Sequence, residues 1–246
     1  MKNLAAVLIP IYQAHLADFE KISLRRCFEV LGNHPVIFIA PHKLDVSLYQ
    51  KNYPTARFEF FEADYFSSIK KYSCLMTRPF FYKRFLDFRY ILIYQTDVFV
   101  FGDELKLWCD KGYDYIGAPW LNTTWMKEFA QKKGLPFLYK YLNRVGNGGF
   151  SLRKVRTFYN LSRLYAPLTL KMKLNEDIFW SNNPARYLGL FKTPTPKIAL
   201  SFAFEETPQK AYEQNGFKLP FAVHAWQKYD THFWKTHFEK YGYTID

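Results

Sequence analysis

The sequence predicts an α/β fold: one domain with a mostly parallel central sheet flanked by helices. Two observations lead there. Apolar strand-length runs alternate with helical patterns through the first half of the chain. Strand–helix–strand repetition at this spacing implies parallel pairing, with helices covering the sheet. Of 246 residues 49% are hydrophobic and 23% charged, enough apolar material for a sizeable core and too little charge for a disordered chain.

Ala6 to Ile11 is an apolar strand ending at Pro10. Leu16, Phe19, Ile22, Cys27 and Val30 then recur at helical spacing, and Gly32-Asn33 with Pro35 closes that helix. Val36 to Ala40 is a second buried strand stopped by Pro41, and Arg57 to Phe61 a third. Pro79 to Leu86 reads as a helix with proline in its first turn. It feeds the long run Tyr90 to Phe101, expected to stay extended throughout. Gly102-Asp103 caps a short helix whose Leu105, Trp108 and Cys109 share a face, and Gly112 ends it. Tyr115 to Ala118 is a further strand, and Pro119 to Tyr141 reads as an insertion near the site. Gly146 to Arg153 opens another strand, followed by a basic helix to about Tyr165. Asn175 to Trp180 starts a shorter helix, Phe221 to His224 is a late strand, and Tyr229 to Tyr243 is an aromatic closing segment. With no repeat, low-complexity tract or linker, one domain is the expectation.

Lys and Arg number 34 against 22 Asp and Glu, a net charge of +12. Nucleic acid, an anionic membrane surface or a phosphate-bearing substrate would each match that excess. The basic residues are spread out, with no arginine-rich tail, zinc-finger spacing or RNP-like string, which argues against nucleic acid. Cys27, Cys74 and Cys109 are odd in number and far apart, unlike a disulfide framework or zinc cluster, and they suit a reducing compartment. Met1 to Ile11 begins like a signal peptide but no small-residue cleavage site follows. No run approaches the roughly 18 apolar residues of a membrane span. The expectation is a cytoplasmic protein, with peripheral contact at the inner face of an anionic membrane as an option.

Four polar constellations interrupt this pattern. Gln95-Thr96-Asp97 breaks an apolar strand run; alternation aims Gln95 and Asp97 one way and Thr96 the other. An uncompensated buried carboxylate costs several kcal/mol, so Asp97 should meet a cation or ligand there, the bland alternative being a turn former. Gly146-Asn147-Gly148-Gly149 permits positive φ and close backbone approach to a ligand, or is an ordinary hairpin loop; it has neither Rossmann nor P-loop spacing. Glu176-Asp177 at a helix start is either a dipole-favoured cap or a general base among aromatic neighbours. His224, before Ala225-Trp226, is a satisfied core histidine or a metal ligand.

Taken in order, these signals resemble nucleotide-sugar glycosyltransferases of the GT-A type. The nearest resemblance is to GT-A-like domains carrying Tyr-Gln-x-Asp, Gly-Tyr-Asp-Tyr-Ile-Gly-Ala-Pro-Trp, Gly-Asn-Gly-Gly-Phe-Ser-Leu-Arg and Asn-Glu-Asp-Ile-Phe-Trp. Here they stand at Tyr94–Asp97, Gly112–Trp120, Gly146–Arg153 and Asn175–Trp180. The resemblance implies one GT-A-like domain over 1–246, with residues 1–118 binding the nucleotide sugar (UDP as the expected nucleotide) and 119–246 the acceptor. It implies that Asp97 is the second aspartate of a metal-binding Asp-x-Asp, with Gln95 replacing the first, and that His224 completes a Mn²⁺ or Mg²⁺ site. Thr96 lies within the same donor-binding triplet; Pro10, Ile11 and Tyr12 would lie near the base, and Asn147, Gly148 and Gly149 would line the donor-sugar or acceptor pocket. Glu176 or Asp177 would deprotonate the acceptor hydroxyl in an inverting transfer to a surface-glycan or lipid-linked saccharide. A non-catalytic nucleotide-sugar or carbohydrate-binding domain of the same fold is the alternative, and Gln95 is its best support.

Overall fold

The structure is a computed structural model that describes residues 3–132, 134, 139, 142–170 and 175–245. Among the described residues the strands are β1 (Asn3–Pro10), β2 (Val36–Pro41), β3 (Arg57–Phe61), β4 (Phe88–Tyr94), β5 (Val98–Val100), β6 (Tyr115–Gly117), β7 (Phe150–Lys154), β8 (Ala203–Phe204) and β9 (Ala222–His224). Six of them form the main sheet in the order β3-β2-β1-β4-β7-β6. The first three pairings are parallel, while β7 runs antiparallel to both β4 and β6. The mostly parallel sheet read from the sequence is thus present, with an antiparallel edge.

Alternation along the central strands divides the core. Val7, Ile9, Tyr90, Leu92 and Tyr94 face one way, onto the helix Asp18–Leu31 with its buried Leu24, Cys27 and Leu31. Ala6, Leu8, Ile91 and Ile93 face the other, onto Phe81 and Tyr82 of the helix Pro79–Lys83, Phe158 of Val155–Leu164 and Trp180 of Glu176–Ser181. A strand buried on both faces has no solvent face to mark, which is why these runs read as continuously apolar.

One expectation is corrected. The Tyr90 run does not continue as strand to Phe101. The chain turns at Gln95-Thr96-Asp97, where the Val98 N–H donates to the Gln95 carbonyl at 3.1 Å. It then joins a second, three-stranded sheet ordered β5-β9-β8. Phe99 and Phe101 pack there with Trp226, Trp234 and Phe238 in a third core. An apolar strand leaving one sheet for another keeps its apolar pattern, so composition hides the turn. Within the Pro119–Tyr141 insertion the structure shows a helix, Thr124–Lys132; residues 133, 135–138, 140 and 141 lie outside the described residues.

Candidate active site

The two sheets meet at the Gln95-Thr96-Asp97 turn, and strand register determines what gathers there. In the main sheet Tyr94 pairs with Phe150, and the next Gln95 N–H donates to the Gly149 carbonyl at 2.9 Å. In the second sheet Val98 pairs with His224. The carboxyl end of β4, the start of β7 and the end of β9 therefore converge beyond the edge where ligands of such sheets bind.

His224 is the hub. Its Nε2 lies 3.2 Å from Asp97 Oδ1 and 3.3 Å from Gln95 Oε1, and its Nδ1 lies 3.0 Å from Glu205 Oε1 and 3.1 Å from Asn147 Nδ2. Burial pulls the imidazole toward neutrality, but Asp97 and Glu205 outweigh it and push its pKa up to about 10. Burial likewise pushes the Asp97 carboxyl up, yet the facing imidazolium holds it below the ordinary range. Asp97 Oδ2 takes a long 3.4 Å bond from Gln227, and the buried Oδ1 faces His224 Nε2 at 3.2 Å with no other partner. Gln95 and Asp97 do point one way and Thr96 the other: the Thr96 hydroxyl donates to Glu20 Oε1 at 2.6 Å. Glu20 Oε2 in turn accepts from the Ala17 N–H at the start of the Asp18–Leu31 helix. Thr96 is thereby buried away from the crevice.

The glycine motif works differently from its sequence reading. Gly146, Gly148 and Gly149 do not have positive φ among the described residues. They are glycines for close approach to protein: a Cβ on Gly149 would overlap the His224 ring, and one on Gly148 would come within 2.8 Å of Glu176 Oε1. Asn147 is only 1% exposed, and its Oδ1 accepts from the N–H groups of Gly149 (2.7 Å) and Phe150 (2.9 Å). Those two bonds orient the amide, so its NH₂ must face His224.

Glu176 and Asp177 separate by environment. Glu176 is 3% exposed and its Oε1 accepts from Arg153 at 3.0 Å. Arg153 is itself fully buried, its other nitrogens donating to Tyr82 and Ser151 at 3.1 Å. Such a pair, once formed, is costly to break and unsuited to shuttling a proton. Asp177, half-buried, has no such partner; burial first and the neighbouring Glu176 charge second push its pKa up to about 7. Of the β1-end residues, Pro10 and Ile11 are core, while Tyr12 stands 55% exposed. Burial, then Glu20 and Asp97, raises the Tyr12 hydroxyl pKa, which ties it electrically to the crevice.

Glu205 went unrecognised in the sequence. Glu205-Glu206 before Pro208 looks like a solvated loop, and nothing local signals that β8 carries Glu205 to His224. In a chain of net charge +12 this crevice still collects Asp97 and Glu205 around one imidazole, with Asp177 close enough to feel the Glu205 charge. Asp97 carboxylate, His224 nitrogen and Gln95 amide oxygen form a hard donor set of the kind Mn²⁺ or Mg²⁺ takes. Among the described residues no three His, Cys, Asp or Glu side chains form a metal site alone. The donors present fit a cation that takes its remaining ligands from outside the protein.

The fold is similar to those of several solved glycosyltransferases, as the GT-A-like expectation has it. Mouse xyloside xylosyltransferase 1, in its apo form, matches at TM-score 0.53 and 10% identity over 89% of this chain and 96% of that one. The galactosyltransferase LgtC, solved with donor and acceptor sugar analogs, matches at TM-score 0.53 and 13% identity over 89% and 86%. Core-mannan synthase A from Aspergillus fumigatus, in its Mn/GDP form, matches at 0.51 and 11% over 80% and 72%. Likeness at such identities is likeness of fold. No curated protein matches the chain in sequence. By its sequence the chain belongs to the family described as "Protein of unknown function (DUF5672)", which matches residues 55–224. That span runs from just before β3 to His224 and includes Gln95, Thr96, Asp97, Asn147, Arg153, Glu176, Asp177 and Glu205.

Proposed function

We propose that the protein is a metal-assisted, inverting glycosyltransferase. It moves a sugar from a nucleotide-diphosphate sugar to a hydroxyl of a surface-glycan or lipid-linked saccharide. The observation that carries this reading is the juxtaposition of Asp97 and His224 at the carboxyl end of β4, where Asp97 Oδ1 and Gln95 Oε1 lie 3.2 and 3.3 Å from the same imidazole nitrogen.

Asp97 and His224, with the Gln95 amide oxygen, would hold Mn²⁺ or Mg²⁺. Bound there, the cation supplies Lewis-acid neutralisation of the departing diphosphate. Glu205 accepts from Nδ1 of His224, a common arrangement behind metal-bound histidines, and Nε2, which faces Asp97, would give up its proton to the solvent on becoming the ligand nitrogen. Asp177 is the base: it takes the acceptor hydroxyl proton as that oxygen attacks the anomeric carbon and the bond to the diphosphate breaks. A carboxyl titrating at about 7 is well matched to that task at neutral pH. Glu176 and Arg153 support the loop beneath it. Pro10 and Ile11 set the backbone beside the base while Tyr12 offers its ring, so residues 1–118 bind mainly donor and 119–246 mainly acceptor.

A thermal-shift screen of nucleotide sugars with and without Mn²⁺ tests the binding half of this reading. A ligand at about 100 times its dissociation constant stabilises by roughly 2.7 kcal/mol, about 5–11 °C in Tm for a chain of this size. If none of the sugar nucleotides shifts Tm in the presence of Mn²⁺, the reading fails. Gln95 in place of a carboxylate favours a second reading, a domain that binds the nucleotide sugar without turnover; a shift with no nucleoside diphosphate released would select it.

A further inference from the structure

Between Val155 and Phe204 the chain carries seven lysines and arginines and only two acids, Glu176 and Asp177. Glu176 is buried against Arg153 and Asp177 belongs to the crevice. The outer surface of this fifty-residue stretch therefore has no acid of its own, while Arg156, Arg163, Lys192 and Lys197 are exposed. The same stretch exposes leucines that a soluble surface gains nothing by showing: Leu164 (67%), Leu168 (54%), Leu170 (69%), Leu188 (73%) and Leu190 (70%). Its two halves are joined where the Ala185 N–H donates to the Tyr165 hydroxyl at 3.0 Å.

Leu188 and Leu190 flank Gly189, whose φ of +71° makes the turn. The turn is held by the Leu190 N–H on the Ala185 carbonyl (2.8 Å) and the Gly189 N–H on the Arg186 carbonyl (3.0 Å), and the next residue, Phe191, is buried. Two leucines are thus presented on a hydrogen-bonded turn, with Arg186 two residues before the first and Lys192 two residues after the second. Leucines that reach the headgroup boundary beside positive charge are the pattern of proteins that lie on anionic bilayers. Self-association through this face is disfavoured, because two copies would bring like charges together. Among the described residues no helix is long and apolar enough to cross a membrane, so contact of this kind would be peripheral.

We propose that this face docks on an anionic phospholipid bilayer, with Leu188 and Leu190 entering the headgroup boundary and Arg163, Arg186, Lys192 and Lys197 meeting the phosphates. The turn follows Asp177 by eleven residues in the chain, and a lipid-linked acceptor would bring the substrate to the same bilayer. That last consequence rests on the transferase reading; the docking itself does not.

Co-sedimentation of the full chain with vesicles of phosphatidylcholine containing about 30% phosphatidylglycerol, and with pure phosphatidylcholine, tests it. Wild type should sediment with the anionic vesicles, roughly tenfold more tightly than with neutral ones, and release as salt rises. The Leu188→Ser/Leu190→Ser variant should bind roughly tenfold more weakly with its melting temperature and its nucleotide-sugar thermal shift unchanged. Arg163→Glu/Lys192→Glu should lose the preference for anionic vesicles. Failure of wild type to sediment, or full binding by the leucine variant, overturns the proposal. So does a wild-type dimer in sedimentation velocity that Leu188→Ser/Leu190→Ser converts to monomer.

Discussion

Asp177 should destabilise the protein it serves. Its carboxyl is raised from 3.8 to about 7 in the folded chain, so between those values the folded state holds a proton that the unfolded state has released. Stability then falls as pH rises, by about 1.4 kcal/mol per unit, and the penalty is complete above the folded pKa. The full interval of roughly three units sets a ceiling of about 4 kcal/mol. The side chain is half-buried, and solvent screening brings the expected effect to about 2 kcal/mol. Asp177→Asn keeps the acceptor for the Ile178 N–H and removes the titration. It should therefore melt about 4–8 °C above wild type at pH 8 and nearly with it at pH 4. Calorimetric melts of both proteins across pH 4–8 read this directly. An Asp177→Asn protein that melts below wild type at pH 8, or whose advantage is the same at both ends, would refute the assignment of Asp177 as a charge held against its preference. Such a gain in stability, bought with loss of transfer, is the expected signature of a catalytic group.

Two further perturbations probe the support around it. Glu205→Gln should leave the fold intact and weaken Mn²⁺ affinity about 10–100-fold, measured from the free-ion EPR signal, because the partner that orients His224 loses its charge; unchanged affinity would show that Glu205 does not act on the metal. Arg153→Met strands Glu176 in the core and should cost roughly 3–5 kcal/mol in urea unfolding, with most of it regained in Arg153→Met/Glu176→Gln; equal losses in both would mean that the lost packing, not the stranded charge, is responsible.

Much of the fold could be read from residues because its strands are local runs, the central ones buried on both faces. Arg57–Phe61 has the bounds expected of it, and Val36 and Pro79 start the elements they were expected to start. What failed is non-local. A turn at Gln95–Asp97 looks like strand because the residues after it are buried in another sheet, more than a hundred positions from β9 in sequence. The glycines near 148 signal closeness, but the sequence does not say that the close neighbours are His224 and Glu176 and not a ligand. Asn147 and Thr96 were placed among the donor contacts, and each turns out to have its side chain engaged by protein. The polar triplet, the acidic helix start and the late histidine were all visible singly; which of the two acids is free, and that Glu205 stands behind His224, depended on tertiary contacts.

The central claim is that Asp97 anchors a cation on a nucleotide-sugar diphosphate. Its most direct test is the release of nucleoside diphosphate from a panel of nucleotide sugars with Mn²⁺ and a saccharide acceptor, wild type against Asp97→Asn. The account predicts Mn²⁺-dependent release by wild type from at least one donor and a loss of 100-fold or more, about 2.7 kcal/mol or more at the transition state, in a folded Asp97→Asn protein. Release that is unchanged in Asp97→Asn, or indifferent to chelation of the metal, would contradict it.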